Sequence, residues 1–231
     1  MKPLLILGAG GQARWAAEIA HLTGWQPHCV DQHGEVASLA SGHFQHAHVA
    51  IGGEHELSVR VKPCLREVIM DRVSRDYPHM QWPALVHPTA HISHTAVIED
   101  GAQILAQCSV GPNARVERGA IMASGALLEH DSVMKPFSYL TTGAATGGGV
   151  TIGERTFIGT NASIKHGLTV PADCLVGAGV ALTVAPEGPC IIAPPRNRMV
   201  KRRVREPMAR EGRLDQWLEA SARNRRSLRR A

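Results

Sequence analysis

Residues Ala102 to Asp131 decide the fold, and in blocks of six they read AQILAQ, CSVGPN, ARVERG, AIMASG and ALLEHD. Each block begins with a small residue and carries a long apolar residue in its third place. Counted in sixes from Ile92 to Leu182, all sixteen third places are long and apolar except Thr146. This period is neither the two of a β-strand nor the 3.6 of an α-helix. It predicts a parallel β-helix, in which short strands form flat walls and the coils stack.

The small residues recur two places before the apolar ones, from Ala90 to Val180. Glycine, asparagine or aspartate often adjoins them, and these types tolerate the backbone of a tight turn. Such turn residues are Gly101, Asn113, Gly119, Gly125, Gly143, Gly149, Asn161, Gly167, Asp173 and Gly179. Three blocks make one coil of a three-sided prism, so residues eighteen apart are predicted to stack at about 4.7–4.9 Å. A run of hairpins is the alternative, but sixteen consecutive positions in phase favour the β-helix.

The N-terminal third has a different pattern. Leu4 to Leu7 predicts a strand, a glycine turn and a helix follow, and a second strand ends at Asp31. A third strand leads into Gly52-Gly53, and a helical stretch runs from about residue 58 to 73. This order of strand, glycine turn, helix and strand is typical of sites where a helix N-terminus binds a phosphate group. About 85 residues are roughly half of a dinucleotide fold, so the pattern predicts a nucleotide or nucleotide-sugar site; a simple α/β cap is the alternative.

Four motifs in this order carry a resemblance: GAGG in the first turn, VHPTAHIS at Val86–Ser93, EHD at 129–131 and FIGTNASI at Phe157–Ile164. The chain resembles, over about residues 3–203, bacterial sugar acetyltransferases of the sialic-acid O-acetyltransferase type and their relatives that N-acetylate UDP- or GDP-linked 4-amino sugars. The resemblance implies a Rossmann-like nucleotide-sugar-binding domain at 1–85, a left-handed β-helix acyltransferase domain at 86–200 and a basic helical tail at 201–231. The left hand rests on the resemblance alone.

The EHD motif supplies titratable groups at a corner of the predicted prism. Acyl transfer from a thioester needs a base near neutral pH, and histidine has an unperturbed pKa there. The resemblance implies that His130 is the catalytic base and that Asp131 is its partner. Gly148, eighteen residues later, leaves room for a thioester beside His130 and offers its N–H to the carbonyl oxygen.

The resemblance also implies the binding residues. Acetyl-CoA is expected against Tyr139, Gly148, Thr160 and Ala178, and the column Thr142, Thr160 and Ala178 is small enough to line a groove for pantetheine. The acceptor is expected against Gly10, Gly11, Gln12, Asp31 and Gly53. The 4-amino-sugar enzymes carry histidine where this chain has Tyr139, and often where it has Gln12, so the acceptor is left open.

Three other functions compete with N-acetylation of a nucleotide-linked amino sugar for a surface glycan. One is O-acetylation of a sialic-acid-like sugar, and another is a non-catalytic scaffold. The third is a zinc hydratase, but His130 and His166 are two coils, or about 9.6 Å, apart, too far to share an ion within one chain. His43, His46 and His48 are interpreted as surface residues of a short polar strand, so no metal is expected.

Charge and cysteine usage set the remaining expectations. The net charge is +5, and residues 201–231 hold eleven Lys or Arg against four Asp or Glu. This segment therefore carries +7 and residues 1–200 carry −2. A packed terminal helix is the first interpretation of this segment, and contact with the phosphates of coenzyme A or with an anionic membrane is the second. Nucleic acid is not expected. The five cysteines form no CxxC pair and indicate reduced packing residues of a cytoplasmic protein.

The resemblance also implies a homotrimer, with its active sites between neighbouring prisms.

Overall fold

The computed structural model describes residues 1–31, 38–39, 42–52, 64–193 and 198–201. Its first part contains β1 (Lys2–Leu7), α1 (Gly11–Leu22), β2 (Trp25–Val30), β3 (Ala47–Val49) and α2 (Leu65–Asp76). The predicted helix at 58–73 corresponds to α2, which begins and ends later, while residues 53–63 lie outside the described part. The three strands form a parallel sheet in the order β2-β1-β3.

The second part is built from short strands, each separated from the next by a turn. They are β4 (Leu85–Val86), β5 (His91–Ile92), β6 (Val97–Ile98), β7 (Gln103–Ile104), β8 (Ser109–Val110), β9 (Arg115–Val116), β10 (Ile121–Met122), β11 (Leu127–Leu128), β12 (Val133–Met134), β13 (Tyr139–Leu140), β14 (Ala145–Thr146), β15 (Thr151–Ile152), β16 (Phe157–Ile158), β17 (Ser163–Ile164), β18 (Thr169–Val170), β19 (Leu175–Val176), β20 (Ala181–Leu182), β21 (Cys190–Ala193) and β22 (Arg198–Lys201).

These strands form a parallel β-solenoid of about six coils. From β4 to β20, each strand pairs in parallel with the strand three places later, so the sheets are the three walls of a prism. The pairing joins residues eighteen apart, as in Ile121↔Tyr139 and Leu127↔Ala145. The predicted stacking is confirmed. At the end, β21 pairs with β19 and β22 returns antiparallel to β21; the rest of the predicted basic tail, 202–231, lies outside the described residues.

The interior follows the six-residue pattern. Leu128, Met134 and Leu140 are fully buried, and the small residues between them are buried too. Four of the five cysteines are buried as predicted, but Cys29 is exposed, so packing is not its role. All ten turn residues predicted from their type have positive φ.

Two bulky residues at positive φ break the turn pattern for a reason that lies outside the solenoid. Phe137 and Arg155 have φ of 58° and 56°, a conformation that costs a non-glycine residue about 1 kcal/mol or more. Phe137 packs into the core around α2, and Arg155 pairs with Glu67 of that helix and with the buried Asp173. These contacts attach α2 to one corner of the prism.

The N-terminal sheet and α1 pack on one wall of the prism, the wall formed by β4, β7, β10, β13, β16 and β19. One continuous core joins Leu4 and Ile6 of β1 and Ile19 of α1 to Ile121 and Tyr139 of this wall. No described helix is long and apolar enough to cross a membrane.

Candidate functional site

One corner of the prism, called here the histidine corner, carries His94, Pro112, His130, Gly148 and His166 at intervals of eighteen residues. The amide of Gly149 donates to the carbonyl oxygen of His130 at 2.9 Å, and the amide of Gly167 donates to that of Gly148 at 2.9 Å. The three coils therefore stack in register. Gly148 lies between His130 and His166 in this stack, and it has no side chain that would separate their two imidazole rings.

The EHD motif turns His130 and Asp131 toward each other. Asp131 has a φ of +57°, which places it at the second turn position, and its Oδ2 lies 2.7 Å from His130 Nδ1. Asn113, one coil below, donates from Nδ2 to Asp131 Oδ1 at 3.1 Å. Both site side chains are about half exposed. The carboxylate thus holds the ring by Nδ1, and Nε2 makes no hydrogen bond to a described residue.

The pair also shifts both protonation equilibria. The hydrogen bond to Asp131 raises the pKa of His130, and the nearby Asp131 and Glu129 charges act in the same direction. The hydrogen bonds from His130 and Asn113 lower the pKa of Asp131. Asp131 is therefore the anionic partner that strengthens His130 as a base.

Two departures from the hexapeptide pattern support this corner. Thr146, the one polar residue among the sixteen inner positions, accepts the amide N–H of Glu129 on its Oγ1 at 3.0 Å. Ser132, where most coils have a smaller residue, donates to Gly147 O at 3.2 Å and accepts from Val150 N at 3.1 Å. The Ser132 hydroxyl is therefore hydrogen-bonded at both ends of the Gly147–Gly149 segment, to its first residue and to Val150, which follows its last. Neither hydroxyl was predicted from the sequence to act at this corner.

Gly148 and the His130 ring occupy adjoining space. A Cβ added to Gly148 would meet His130 Nε2 at 2.4 Å and Cε1 at 2.5 Å, because the imidazole leans over the glycine. The amide of Gly148 donates no hydrogen bond to any described residue. The buried Gly148 thus lies against the His130 ring and has an amide N–H without an acceptor among the described residues.

His130 and His166 approach each other across this glycine. Their ring centroids are 6.4 Å apart at an angle of 47°, closer than the 9.6 Å expected from two coil spacings. The expected distance was wrong for the rings because both lean toward the coil that has no side chain between them. Among the described residues, no group of three or more His, Cys, Asp or Glu side chains could hold a metal ion.

The predicted cofactor residues divide between different parts of the prism. Thr142, Thr160 and Ala178 are exposed and stack on a second corner. Tyr139 lies on the wall that packs against the N-terminal sheet and is 9% exposed. Within one chain the structure therefore brings Gly148 to His130, but neither Tyr139 nor the Thr160–Ala178 column, which stay predictions as cofactor contacts.

The predicted acceptor residues gather at the carboxyl edge of the N-terminal sheet. Gly10 and Gly11 are exposed at the start of α1, with open space where a Cβ would be. Asp31 follows β2 and Gly52 follows β3, at the same edge. Gly53 lies outside the described residues. The arrangement is the one in which a helix N-terminus faces an anionic ligand.

A chain of polar side chains leads from this edge to the prism wall. Gln12 accepts a hydrogen bond from Tyr139 Oη at 3.2 Å and donates to Gln103 Oε1 at 2.8 Å. Gln103 lies beside His48, whose Nδ1 is 3.3 Å from the carbonyl oxygen of Pro83. Gln103 was missed by the sequence analysis; its signal is a polar residue on an otherwise apolar packing wall.

His48 corrects the interpretation of the histidine cluster. It is 1% exposed, so it is not a surface residue, and burial lowers its pKa to about 4. His46 packs edge-on against Trp25, and His43 against Phe44. The three imidazoles therefore have separate packing partners. Arg66, another residue that the sequence did not single out, is buried and donates to Ile51 O and Phe137 O.

Residues 149–184 match the family model described as the hexapeptide repeat of succinyl-transferase. The bifunctional protein GlmU of Nitratidesulfovibrio vulgaris is 31% identical over 150 residues, which cover 52% of this chain and 31% of GlmU. This chain thus spans about a third of that relative's length.

Two solved structures share the fold over most of both chains. PerB from Caulobacter crescentus, solved with CoA and GDP-perosamine, has a TM-score of 0.75 at 24% identity over 87% of this chain and 98% of PerB. The acetyltransferase domain of PglB from Neisseria gonorrhoeae, solved with acetyl coenzyme A, has a TM-score of 0.71 at 25% identity over 82% and 95% of the two chains.

Proposed function

We propose that this chain, whose residues 149–184 match the hexapeptide-repeat model, is an acetyltransferase that uses acetyl-CoA to acetylate the amine of a nucleotide-linked amino sugar. The observation that carries the proposal is the His130–Asp131 pair beside the unbonded amide of Gly148. Similar proteins solved with CoA or acetyl-CoA support the donor.

The proposed chemistry begins at the acceptor amine. His130 Nε2 takes a proton from the amine as its nitrogen attacks the acetyl carbon, and Asp131 stabilises the resulting imidazolium. Negative charge develops on the carbonyl oxygen, where the Gly148 N–H can donate; such donors are among the largest contributions to acyl transfer. The C–S bond then breaks, and the proton on His130 passes to the sulfur of CoA.

The proposed acceptor site is the carboxyl edge of the N-terminal sheet. Gly10 and Gly11 open the N-terminus of α1 without side chains, so backbone N–H groups can approach a diphosphate. Asp31 stands at the end of the neighbouring strand, where a carboxylate can accept hydroxyl groups of a nucleotide. This assignment makes residues 1–85 the proposed nucleotide-sugar domain.

The separation of the cofactor residues favours a site shared between copies. His130 and Gly148 lie on the histidine corner, whereas Thr160 and Ala178 lie on another corner of the same prism. A single convex corner cannot enclose a thioester. We therefore propose a homotrimer in which the Thr160–Ala178 column of one copy faces the histidine corner of the next.

The direct test is a thiol-release assay with acetyl-CoA against a panel of UDP-, GDP- and CMP-linked sugars, each with and without a free amine. We expect release with amino sugars and its loss, by about 10²–10⁴-fold in kcat, in His130→Ala. Thiol release only with the sugars that lack a free amine would contradict N-acetylation and support O-acetylation instead. No release across the panel, together with no CoA binding by calorimetry, would favour a scaffold.

Intersubunit sites predict complementation between two inactive variants. Thr160→Trp should block the donor groove and His130→Ala should remove the base, yet trimers mixed from the two should regain native sites and activity. A mixture of His130→Ala with Gly148→Ala, which damage the same corner, is the control and should stay inactive. Activity that fails to return in the first mixture would contradict a shared site.

A further inference from the structure

The second imidazole of the histidine corner is not used by the proposed chemistry. His166 is exposed, sits in the same stack as His130 and Gly148, and its ring leans toward His130 to a centroid distance of 6.4 Å. Its ring nitrogens make no hydrogen bond to another described residue. In contrast, the His130 ring is held by Asp131 at 2.7 Å. One imidazole is thus fixed by a carboxylate, while the other has both nitrogens available to a ligand at the same glycine.

The Gly147–Gly149 run creates the shared space. A Cβ on Gly148 would meet the His130 ring at 2.4 Å, and one on Gly149 would come within 4.0 Å of His166 Cε1. The His130 and His166 rings therefore approach the coil of Gly148 from its two opposite sides along the prism axis. A group bound at the Gly148 amide lies within reach of both.

The position of His166 along the prism indicates which reactant it meets. The N-terminal sheet, and with it the proposed acceptor edge, is tied to the prism at Gln103 and Tyr139, toward the earlier coils. His166 lies one coil beyond Gly148 in the C-terminal direction, in the same coil as Thr160 of the proposed donor groove. His166 is therefore on the donor side of the reacting carbon, whereas His94 lies on the opposite side, three coils before Gly148 and two before His130.

We propose that His166 is a second catalytic residue, which donates an N–H hydrogen bond to the sulfur of the thioester as the C–S bond breaks. This inference rests on the proposed acetyl transfer. The acceptor nitrogen forms its bond to the acetyl carbon, the electron pair of the C–S bond goes to sulfur, and the amine proton travels through His130 Nε2 to that sulfur. His166 transfers no proton; its N–H stabilises the negative charge on sulfur before the proton arrives, because hydrogen bonds to charged acceptors are the stronger ones.

The test compares His166→Ala, His166→Gln and the matched control His94→Ala. In His166→Ala we expect kcat to fall about 10- to 100-fold, somewhat less than for a main donor to a carbonyl oxyanion. The side-chain N–H of His166→Gln should restore most of the rate. His94→Ala, which alters the same corner at the same coil separation from His130, should keep kcat within twofold.

A binding measurement separates contact with sulfur from damage to the groove. CoA and desulfo-CoA, which lacks the sulfur atom, are titrated into each variant by calorimetry. His166→Ala should weaken CoA about 3- to 10-fold and leave desulfo-CoA unchanged. An equal loss for both ligands, or a kcat that stays within twofold, would overturn the inference. If either result is found while the wild-type protein transfers acetyl groups and His130→Ala does not, only the role of His166 is overturned. Failure of the wild-type protein to bind CoA would overturn the proposed function as well.

Discussion

Tyr139 donates a hydrogen bond from its hydroxyl to Oε1 of Gln12 at 3.2 Å, and this bond joins the prism wall to the glycine turn of the N-terminal sheet. Burial raises the pKa of Tyr139, so the phenol stays protonated and able to donate. The 4-amino-sugar enzymes that the chain resembles carry histidine at the position of Tyr139 and often at that of Gln12. Here the two departures from that pattern contact each other, and the pair helps to set the position of the proposed acceptor turn on the prism.

The first prediction is a coupling between these two side chains. Tyr139→Phe should lower the free energy of unfolding by about 1 kcal/mol, the usual contribution of a partly buried hydrogen bond. Gln12→Ala should cost at least as much, because it also removes the bond to Gln103. The double variant should fall short of the sum by about 1 kcal/mol, measured by urea unfolding at one fixed protein concentration.

Tyr77→Phe is the matched control, since Tyr77 is the other tyrosine of the chain and makes no hydroxyl hydrogen bond to a described residue. It should leave the free energy of unfolding within about 0.5 kcal/mol of wild type. Strict additivity of Tyr139→Phe and Gln12→Ala would mean that the bond contributes nothing to stability.

The second prediction separates two neighbouring glycines. Gly148→Ala should place a methyl group where His130 Nε2 now lies, displacing an exposed ring tip at little cost in stability but lowering kcat about 100-fold or more. Gly149 has a φ of +67° and space for a Cβ, so Gly149→Ala should instead cost about 1–2 kcal/mol of stability. Thermal unfolding and steady-state rates on both proteins check the contrast; equal rates in Gly148→Ala and wild type would contradict the geometry.

The sequence predicted the parts of this molecule that repeat. A strict period of six determines which residues face inward and which stack at eighteen, because every coil has to meet the same interior. Placing Gly148 beside His130 followed from that register alone. Turn residues could be predicted from type where nothing but the turn acts on them, as at Asn113 and Gly119.

The sequence did not predict contacts between the repeat and the N-terminal part. Phe137 and Arg155 occupy positive-φ turns because α2 provides packing and ion pairs that offset the strain, and no local pattern encodes a helix 70 to 90 residues away. His48 is buried for a similar reason. Its strand was predicted to be polar and exposed, but the prism covers it. The lean of His166 toward His130 depends on ring rotation, which register does not determine.

The third prediction concerns acid stability. Burial lowers the pKa of His48 to about 4 from an ordinary value near 6.5, so the unfolded chain binds a proton between these pH values that the folded chain does not. The free energy of unfolding should therefore decrease as pH falls from about 6.5 to 4, by roughly 3 kcal/mol from this residue. Below pH 4 both states are protonated and this contribution stays lost.

His48→Gln should flatten that part of the stability profile, because an amide of similar shape does not titrate. The measurement is urea unfolding at half-unit intervals from pH 7.5 to 4, with His43→Gln as a control on a neighbouring imidazole. A profile in His48→Gln that is as steep as the wild-type profile would assign the acid sensitivity to other groups.

The last prediction follows from the raised pKa of His130. A general base acts in its neutral form, so kcat/KM should fall as pH decreases through the pKa of His130 in the free enzyme. Asp131 is the main cause of the upward shift, and Asp131→Asn should therefore move this acidic limb to lower pH. The same variant should lower the plateau, because an amide can still hold Nδ1 but does not stabilise the imidazolium as a carboxylate does. Asn113→Ala is the control, because it leaves Asp131 in place and removes only one of its hydrogen bonds. This variant should shift the acidic limb by no more than a small amount. An acidic limb that stays at the same pH in Asp131→Asn would mean that another group titrates there, and His130 would no longer be the base that the rate depends on.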